Sequence, residues 1–216
     1  WSSDVCSSDL VELIGGDTTQ GPLSITITAQ GVTPKDSYLT RSGASKGDWL
    51  YVTGELGDAA LALQHIFGKV EVESNNFSTI KNKLDFPKPR VLAGQIIREY
   101  ASSAIDLSDG LIADLGHICQ ASNVGANIAL EALPLSDILR DSLLIEDAMN
   151  LALSGGDDYE LLFTVSEDNK VGLETALSHA GITVTCIGQT NASQTISTTL
   201  NNKSVLIKTA GFEHFT

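Results

Sequence analysis

The sequence predicts an α/β chain (α+β, with mixed sheets). Short β-branched runs alternate with stretches of helical period, and glycine–aspartate clusters mark the junctions between them. With 42% hydrophobic and 19% charged residues, the chain has enough apolar matter to bury a sizeable core. Its 216 residues suit one large domain, or one domain with part of another.

The first ten residues, WSSDVCSSDL, nearly repeat a Ser-Ser-Asp unit and follow neither a helical nor a strand period. Residues 1–10 are read as a non-native leader, with a flexible N-terminus as the alternative, and the native sequence as entering mid-protein. Residues 11–14 form a short apolar strand leading into Gly15-Gly16-Asp17. Residues 24–31 (SITITAQG) alternate in the manner of a strand, and Pro34-Lys35-Asp36 is a turn. A connection runs to Asp48, residues 49–53 are a strand, and Asp58 opens a helix. Residues 69–85 are weakly patterned and predict a loop with a short helix, whereas residues 87–100 predict a helix with both prolines at its start. A strand over 103–106 enters Leu107-Ser108-Asp109-Gly110, and the helix after it carries Leu111, Leu115 and Ile118 on one face. The pattern continues with a strand near 127–130, a helix near 146–153, a tight turn over 154–158 and a strand over 159–165. It ends with a helix over 169–180, a strand over 182–187 and two short strands in the tail.

Thirteen basic residues against 27 acidic ones leave a net charge of -14, and the basic residues do not cluster. Such a chain repels nucleic acid and anionic membranes. Acidity suits a protein that gathers divalent cations, and equally one that is acidic for solubility alone. No apolar run is long enough to cross a bilayer, and the start lacks the order of a signal peptide. Cys6, Cys119 and Cys186 have no metal-ligand spacing, and their sparse, odd count points to a cytoplasmic setting.

Three segments place aspartate beside glycine or serine at the end or start of a strand: Gly15-Gly16-Asp17, Asp106-Leu107-Ser108-Asp109-Gly110 and Gly155-Gly156-Asp157-Asp158. Glycine lets the backbone approach a phosphate closely, and aspartate supplies the hard oxygens that Mg²⁺ prefers. Each segment also has a plain structural reading, as a turn or a helix cap. The chain has no Walker motif and no EF-hand loop, and spacing alone leaves open a phosphotransferase or a calcium-binding structural domain. His117 follows Asp109 on the next helix and reads as packed or solvent-facing, with a place near the site as the alternative.

The strings LIGGDTTQGPLSITI, YLTRSGASKGDWLYVTGELGDAA, AIDLSDGLIADLGHI and LALSGGDDYELLFTV occur in one order and together resemble the thiamine-monophosphate kinase family. That family sits in a superfamily with aminoimidazole ribonucleotide synthetase and selenophosphate synthetase. The resemblance implies that superfamily's C-terminal domain fold over residues 41–216, and a remnant of the N-terminal ATP-binding domain with its connection over 11–40. It implies ATP- and Mg²⁺-dependent phosphorylation of thiamine monophosphate to thiamine diphosphate, usually by a homodimer, with a related ATP-dependent enzyme of the superfamily or a non-catalytic nucleotide- or metal-binding fragment as the alternatives. It further implies ATP contacts at Gly16, Asp17, Arg41 and Ser108, and metal ligands at Asp17, Asp106 and Asp109. Substrate contacts fall at Asp157 and Phe212, and no side chain acts as a catalytic acid, base or nucleophile. Gln20 stands where relatives often carry arginine. The resemblance also implies further metal-binding carboxylates in a region ahead of Val11, so the expectation for these 216 residues alone is little or no turnover.

Overall fold

The computed structural model describes residues 12–35 and 37–205, and divides the chain into two compact units, Trp1–Tyr38 and Leu39–Thr216. The described residues of the first unit form no helix or strand. Residues 24–31, expected as a strand, are unpaired among the described residues, and Ile25 and Ile27 are exposed. Alternation prepares one face of a strand for burial, but a strand forms only against a partner that takes up its N–H and C=O groups. The expected turn at residues 34–36 includes Asp36, which lies outside the described residues, although Ser37 N–H does donate to the Pro34 carbonyl at 3.2 Å.

The described residues of the second unit form seven strands: β1 Trp49–Thr53, β2 Ala101–Asp106, β3 Gly125–Ala129, β4 Leu161–Val165, β5 Val184–Asn191, β6 Ile196–Leu200 and β7 Lys203–Val205. They form one sheet in the order β2-β4-β1-β5-β3-β6-β7, with β3 and β6 parallel and every other neighbouring pair antiparallel. Among the described residues seven α-helices join them: α1 Asp58–Ile66, α2 Ser74–Asp85, α3 Val91–Ile97, α4 Leu111–Ser122, α5 Asp137–Ser142, α6 Ile145–Ser154 and α7 Glu167–His179. No helix among the described residues is long and apolar enough to cross a membrane.

The alternation of β1 sorts the core into two layers. Leu50 and Val52 point to one face, where they cluster with Ile105, Leu162 and Ile128 and with Leu61, Ile80, Leu115 and Leu151 from the helices. Tyr51 points to the other and joins Phe163, Ile97, Leu173 and Leu177 under α3 and α7. Tyr51 and Phe163 face each other in the β1–β4 register, with ring centroids 5.7 Å apart. The expected face of α4 is confirmed, since Leu111, Leu115 and Ile118 are all buried.

Two expectations about the helices need correction. Residues 74–85 form a full helix rather than a short one, anchored by buried Ile80. The helix expected over 87–100 covers only Val91–Ile97, because Pro87 and Pro89 push the residues before them out of helical geometry. The six-residue helix α5 carries no periodic signal and was not expected. The outer edge of β2 is covered by the connection, whose Thr40 carbonyl accepts the Ala104 N–H at 3.0 Å.

Candidate active site

The β2–β4 ladder continues beyond both strands. Leu107 N–H donates to the Glu160 carbonyl and Tyr159 N–H to the Leu107 carbonyl, each at 2.8 Å, and Asp157 N–H donates to the Ser108 carbonyl at 3.0 Å. This extension gathers Asp106, Ser108, Asp109 and Asp157 at one end of the sheet. Asp106 is exposed and the other three are half-buried. Gly156 lets the two loops touch, because a Cβ there would lie 2.4 Å from the Ser108 carbonyl oxygen. Gly110, at φ +109, turns the chain into α4 where a Cβ would meet the Ser154 backbone at 2.9 Å.

Asp157 and Tyr159 both adopt left-handed backbone, at φ 67 and 49. Such geometry is uncommon outside glycine and collects at functional sites. The Tyr159 hydroxyl donates weakly to Asp157 Oδ1 at 3.4 Å. Its phenol is pushed above the ordinary value by burial first, then by the charges of Asp157, Asp106 and Asp109.

Asp114 was not singled out from the sequence, yet it is 2% exposed and central to the site. Its Oδ2 accepts the N–H groups of Ser108 at 3.0 Å and Asp109 at 3.1 Å. Burial pushes its carboxyl above the ordinary range, the two amides oppose this, and Asp109 and Asp106 add to it. One ligand atom each from Asp109, Asp114 and His117 lie within 4.8 Å of one another. His117 is thus both solvent-facing and near the site, whereas Asp106 falls outside this closest group.

Asp158 points away from these residues. Both of its carboxylate oxygens accept the Gly57 N–H, at 3.0 Å, where α1 begins. Burial pushes its pKa up to about 8, the Gly57 amide opposes this, and Asp58 and Glu160 reinforce it. Beside it lies a cavity of about 530 Å³ lined by Lys83, Phe86, Arg90, Glu160 and Thr183 among others. Buried Glu160 holds the Arg90 guanidinium through both oxygens and also accepts from Thr53 Oγ1 at 2.6 Å.

Among the described residues of the second unit, one further expected site residue, Arg41, is not brought to this point. Arg41 is exposed, and its carbonyl accepts from Ser122 Oγ at 3.3 Å, at the C-terminal end of α4. The twelve residues of α4 span about 18 Å, so the Arg41 backbone sits at the opposite end of that helix from Asp109. Gly16 and Asp17 belong to the first unit, where Asp17 Oδ1 accepts the Thr18 N–H at 2.8 Å. Phe212 lies outside the described residues.

The thiamine-monophosphate kinase of Escherichia coli (strain K12) is 48% identical over 208 residues, which make up 95% of this chain and 64% of that protein. The chain therefore spans a little under two thirds of the length of the first curated relatives it matches. The crystal structure of thiamine-monophosphate kinase from Stenotrophomonas maltophilia K279a matches with a TM-score of 0.72 at 36% identity, covering 80% of this chain and 56% of that one. A structure of AaThiL complexed with AMPPCP and TMP matches with a TM-score of 0.67 at 30% identity, covering 82% and 54%. A family model described as AIR synthase related protein, C-terminal domain, matches residues 45–201, well over half of the sequence. The chain belongs to the AIR synthase related protein, C-terminal domain family.

Proposed function

We propose that this chain supplies the carboxylate-bearing domain of an enzyme that transfers the γ-phosphoryl group of ATP to thiamine monophosphate, giving thiamine diphosphate and ADP. The observation that carries the reading is the backbone pairing of Ser108 with Asp157, which gathers Asp106, Ser108, Asp109 and Asp157. The relatives named thiamine-monophosphate kinase, and the matching structure that holds AMPPCP and TMP, support the same chemistry. In this reading residues 11–40 belong to an ATP-binding domain and 41–216 to a second domain. The division of the chain between Tyr38 and Leu39 supports that boundary. A cytoplasmic homodimer is the assembly that the family resemblance favours.

The donor set fits a hard divalent cation. Burial first, and then Asp157, Asp106 and Asp109, raise the Tyr159 phenol, and the negative charge of these three carboxylates is what such a cation neutralises. When bound, Mg²⁺ neutralises the polyphosphate and polarises the γ-phosphoryl oxygens. Asp106 and Asp109 would hold it; in the first unit, Asp17 would be a metal ligand and Gly16 would offer its backbone to the nucleotide, as the family resemblance implies. The Ser108 hydroxyl donates to a phosphate oxygen. Asp157 accepts from the aminopyrimidine or balances the thiazolium, and Phe212 stacks on an aromatic ring of the substrate. Arg41 supplies a guanidinium fork to the nucleotide away from the Asp106–Asp109 cation. The attacking phosphate of thiamine monophosphate is already ionised near neutral pH, so no side chain has to remove a proton.

Titration of the 216-residue chain with Mn²⁺, followed by electron paramagnetic resonance, tests the cation reading. Asp106→Asn and Asp109→Asn are each expected to weaken binding roughly tenfold, the scale of one lost charged ligand contact. Binding unchanged in both folded variants would contradict it.

A further inference from the structure

The loop that presents Ser108 and Asp109 is held from both sides. Its carbonyl at Ser108 is taken by the Asp157 N–H. Its two consecutive amides, those of Ser108 and Asp109, converge on a single oxygen of Asp114. Asp114 lies in the first turn of α4, and its side chain reaches back past Gly110 to these two amides. Two adjacent N–H groups aimed at one fixed oxygen set the plane of the peptide between them. That plane decides the direction in which the Ser108 and Asp109 side chains leave the backbone. Asp114 can serve as a fixed reference because it is 2% exposed, on a helix whose neighbouring Leu111, Leu115 and Ile118 are buried.

We propose that Asp114 is a positioning residue for phosphoryl transfer: by holding the amides of Ser108 and Asp109, it aims the Ser108 hydroxyl and the Asp109 carboxylate without touching the substrate. The proposal rests on the reading of this site as one that binds a cation and a polyphosphate. It separates two properties of Asp114, the placement of its acceptor oxygen and its negative charge. Asp114→Asn keeps an acceptor in place and removes the charge. Asp114→Glu keeps the charge and moves the oxygens by one methylene, and Asp114→Ala removes both.

The test uses the full 216-residue chain and two readouts: hydrogen exchange of individual amides by NMR, and Mn²⁺ affinity by electron paramagnetic resonance. In Asp114→Ala and Asp114→Glu, the Ser108 and Asp109 amides are expected to exchange roughly tenfold faster, and Mn²⁺ to bind roughly tenfold more weakly, the scale of a lost hydrogen bond to a charged group. The amides of Leu115 and Ile118 should exchange as in the wild type, and Asp114→Asn should stay close to wild type in both readouts. The Glu and Asn variants decide the question if the alanine variant does not fold. Unchanged exchange at Ser108 and Asp109 in folded Glu and Ala variants overturns the role of Asp114. So does an Asn variant that keeps its amide protection yet binds Mn²⁺ as weakly as the Ala variant, since Asp114 would then act through its charge. A wild-type chain that binds no Mn²⁺ overturns the cation reading instead, and the exchange measurement still decides what Asp114 does to the loop.

Discussion

Asp157 donates its backbone N–H to the carbonyl oxygen of Ser108 at 3.0 Å, and this bond joins two aspartate-bearing loops that are distant in the chain. The approach depends on Gly156, where a Cβ would stand 2.4 Å from that same carbonyl oxygen. Gly156→Ala therefore forces the loops apart. It is expected to destabilise the fold by about 1–3 kcal/mol, as overpacking against fixed backbone does, and to weaken Mn²⁺ binding. Thermal denaturation together with Mn²⁺ titration checks this, and a variant unchanged in both would show that the contact is slack.

Asp158 makes stability depend on pH. Its pKa rises from 3.8 to about 8 in the fold, so between these values the folded state holds a proton that the unfolded state has released. The contribution is fully present below about pH 4 and is lost as pH rises through about 8. Asp158→Asn cannot ionise and still offers an acceptor to Gly57. Its melting temperature relative to wild type is expected to be higher at about pH 8 than at about pH 5. An equal difference at both pH values would contradict this.

Buried Glu160 and half-buried Arg90 form a two-pronged pair that Thr53 completes. Arg90→Met leaves the buried Glu160 carboxylate without its cation, at an expected cost of about 1–3 kcal/mol, since Arg90 is itself partly solvated and Thr53 still donates to Glu160. Arg90→Lys keeps the charge but not the fork, and its urea midpoint should fall between the wild type and Arg90→Met. A methionine variant as stable as wild type would show that Glu160 is relieved in another way.

Tyr159 reports on the carboxylates around it. Its phenol lies above the ordinary value of 10.0, through burial and then through Asp157, Asp106 and Asp109. Mg²⁺ held among these groups should bring the phenol down, which tyrosine-labelled NMR can follow as a titration. A Tyr159 titration unmoved by Mg²⁺ would place the cation elsewhere.

The sequence carried the local grammar of this fold better than its long-range pairings. Trp49–Thr53 and the Leu111–Ile118 face were legible because apolar period and burial agree there. The aspartate loops were legible because glycine and serine crowd beside them. Residues 24–31 read as a strand because alternation describes a face and does not supply a partner. Helix α3 came out short because the Arg90 segment, held between prolines and Glu160, stays outside helical geometry. Asp114 escaped notice since it looks like an ordinary acidic residue in a first helical turn; only the folded chain shows two amides reaching back to it. Arg41, grouped with the nucleotide contacts by resemblance, is set by its tether to Ser122 at the other end of α4.

In the proposed function the Asp106–Asp109 loop and Asp157 serve phosphoryl transfer to thiamine monophosphate. The most direct measurement replaces the 208 aligned residues of the Escherichia coli thiamine-monophosphate kinase with those of this chain, and follows thiamine diphosphate and ADP when thiamine monophosphate, ATP and Mg²⁺ are supplied. The expected result is equimolar formation of the two products, with kcat reduced roughly 100-fold or more by Asp109→Asn, the scale of a lost electrostatic contact to the reacting phosphoryl. A folded chimaera that forms neither product, or one whose turnover survives Asp109→Asn, would contradict the claim.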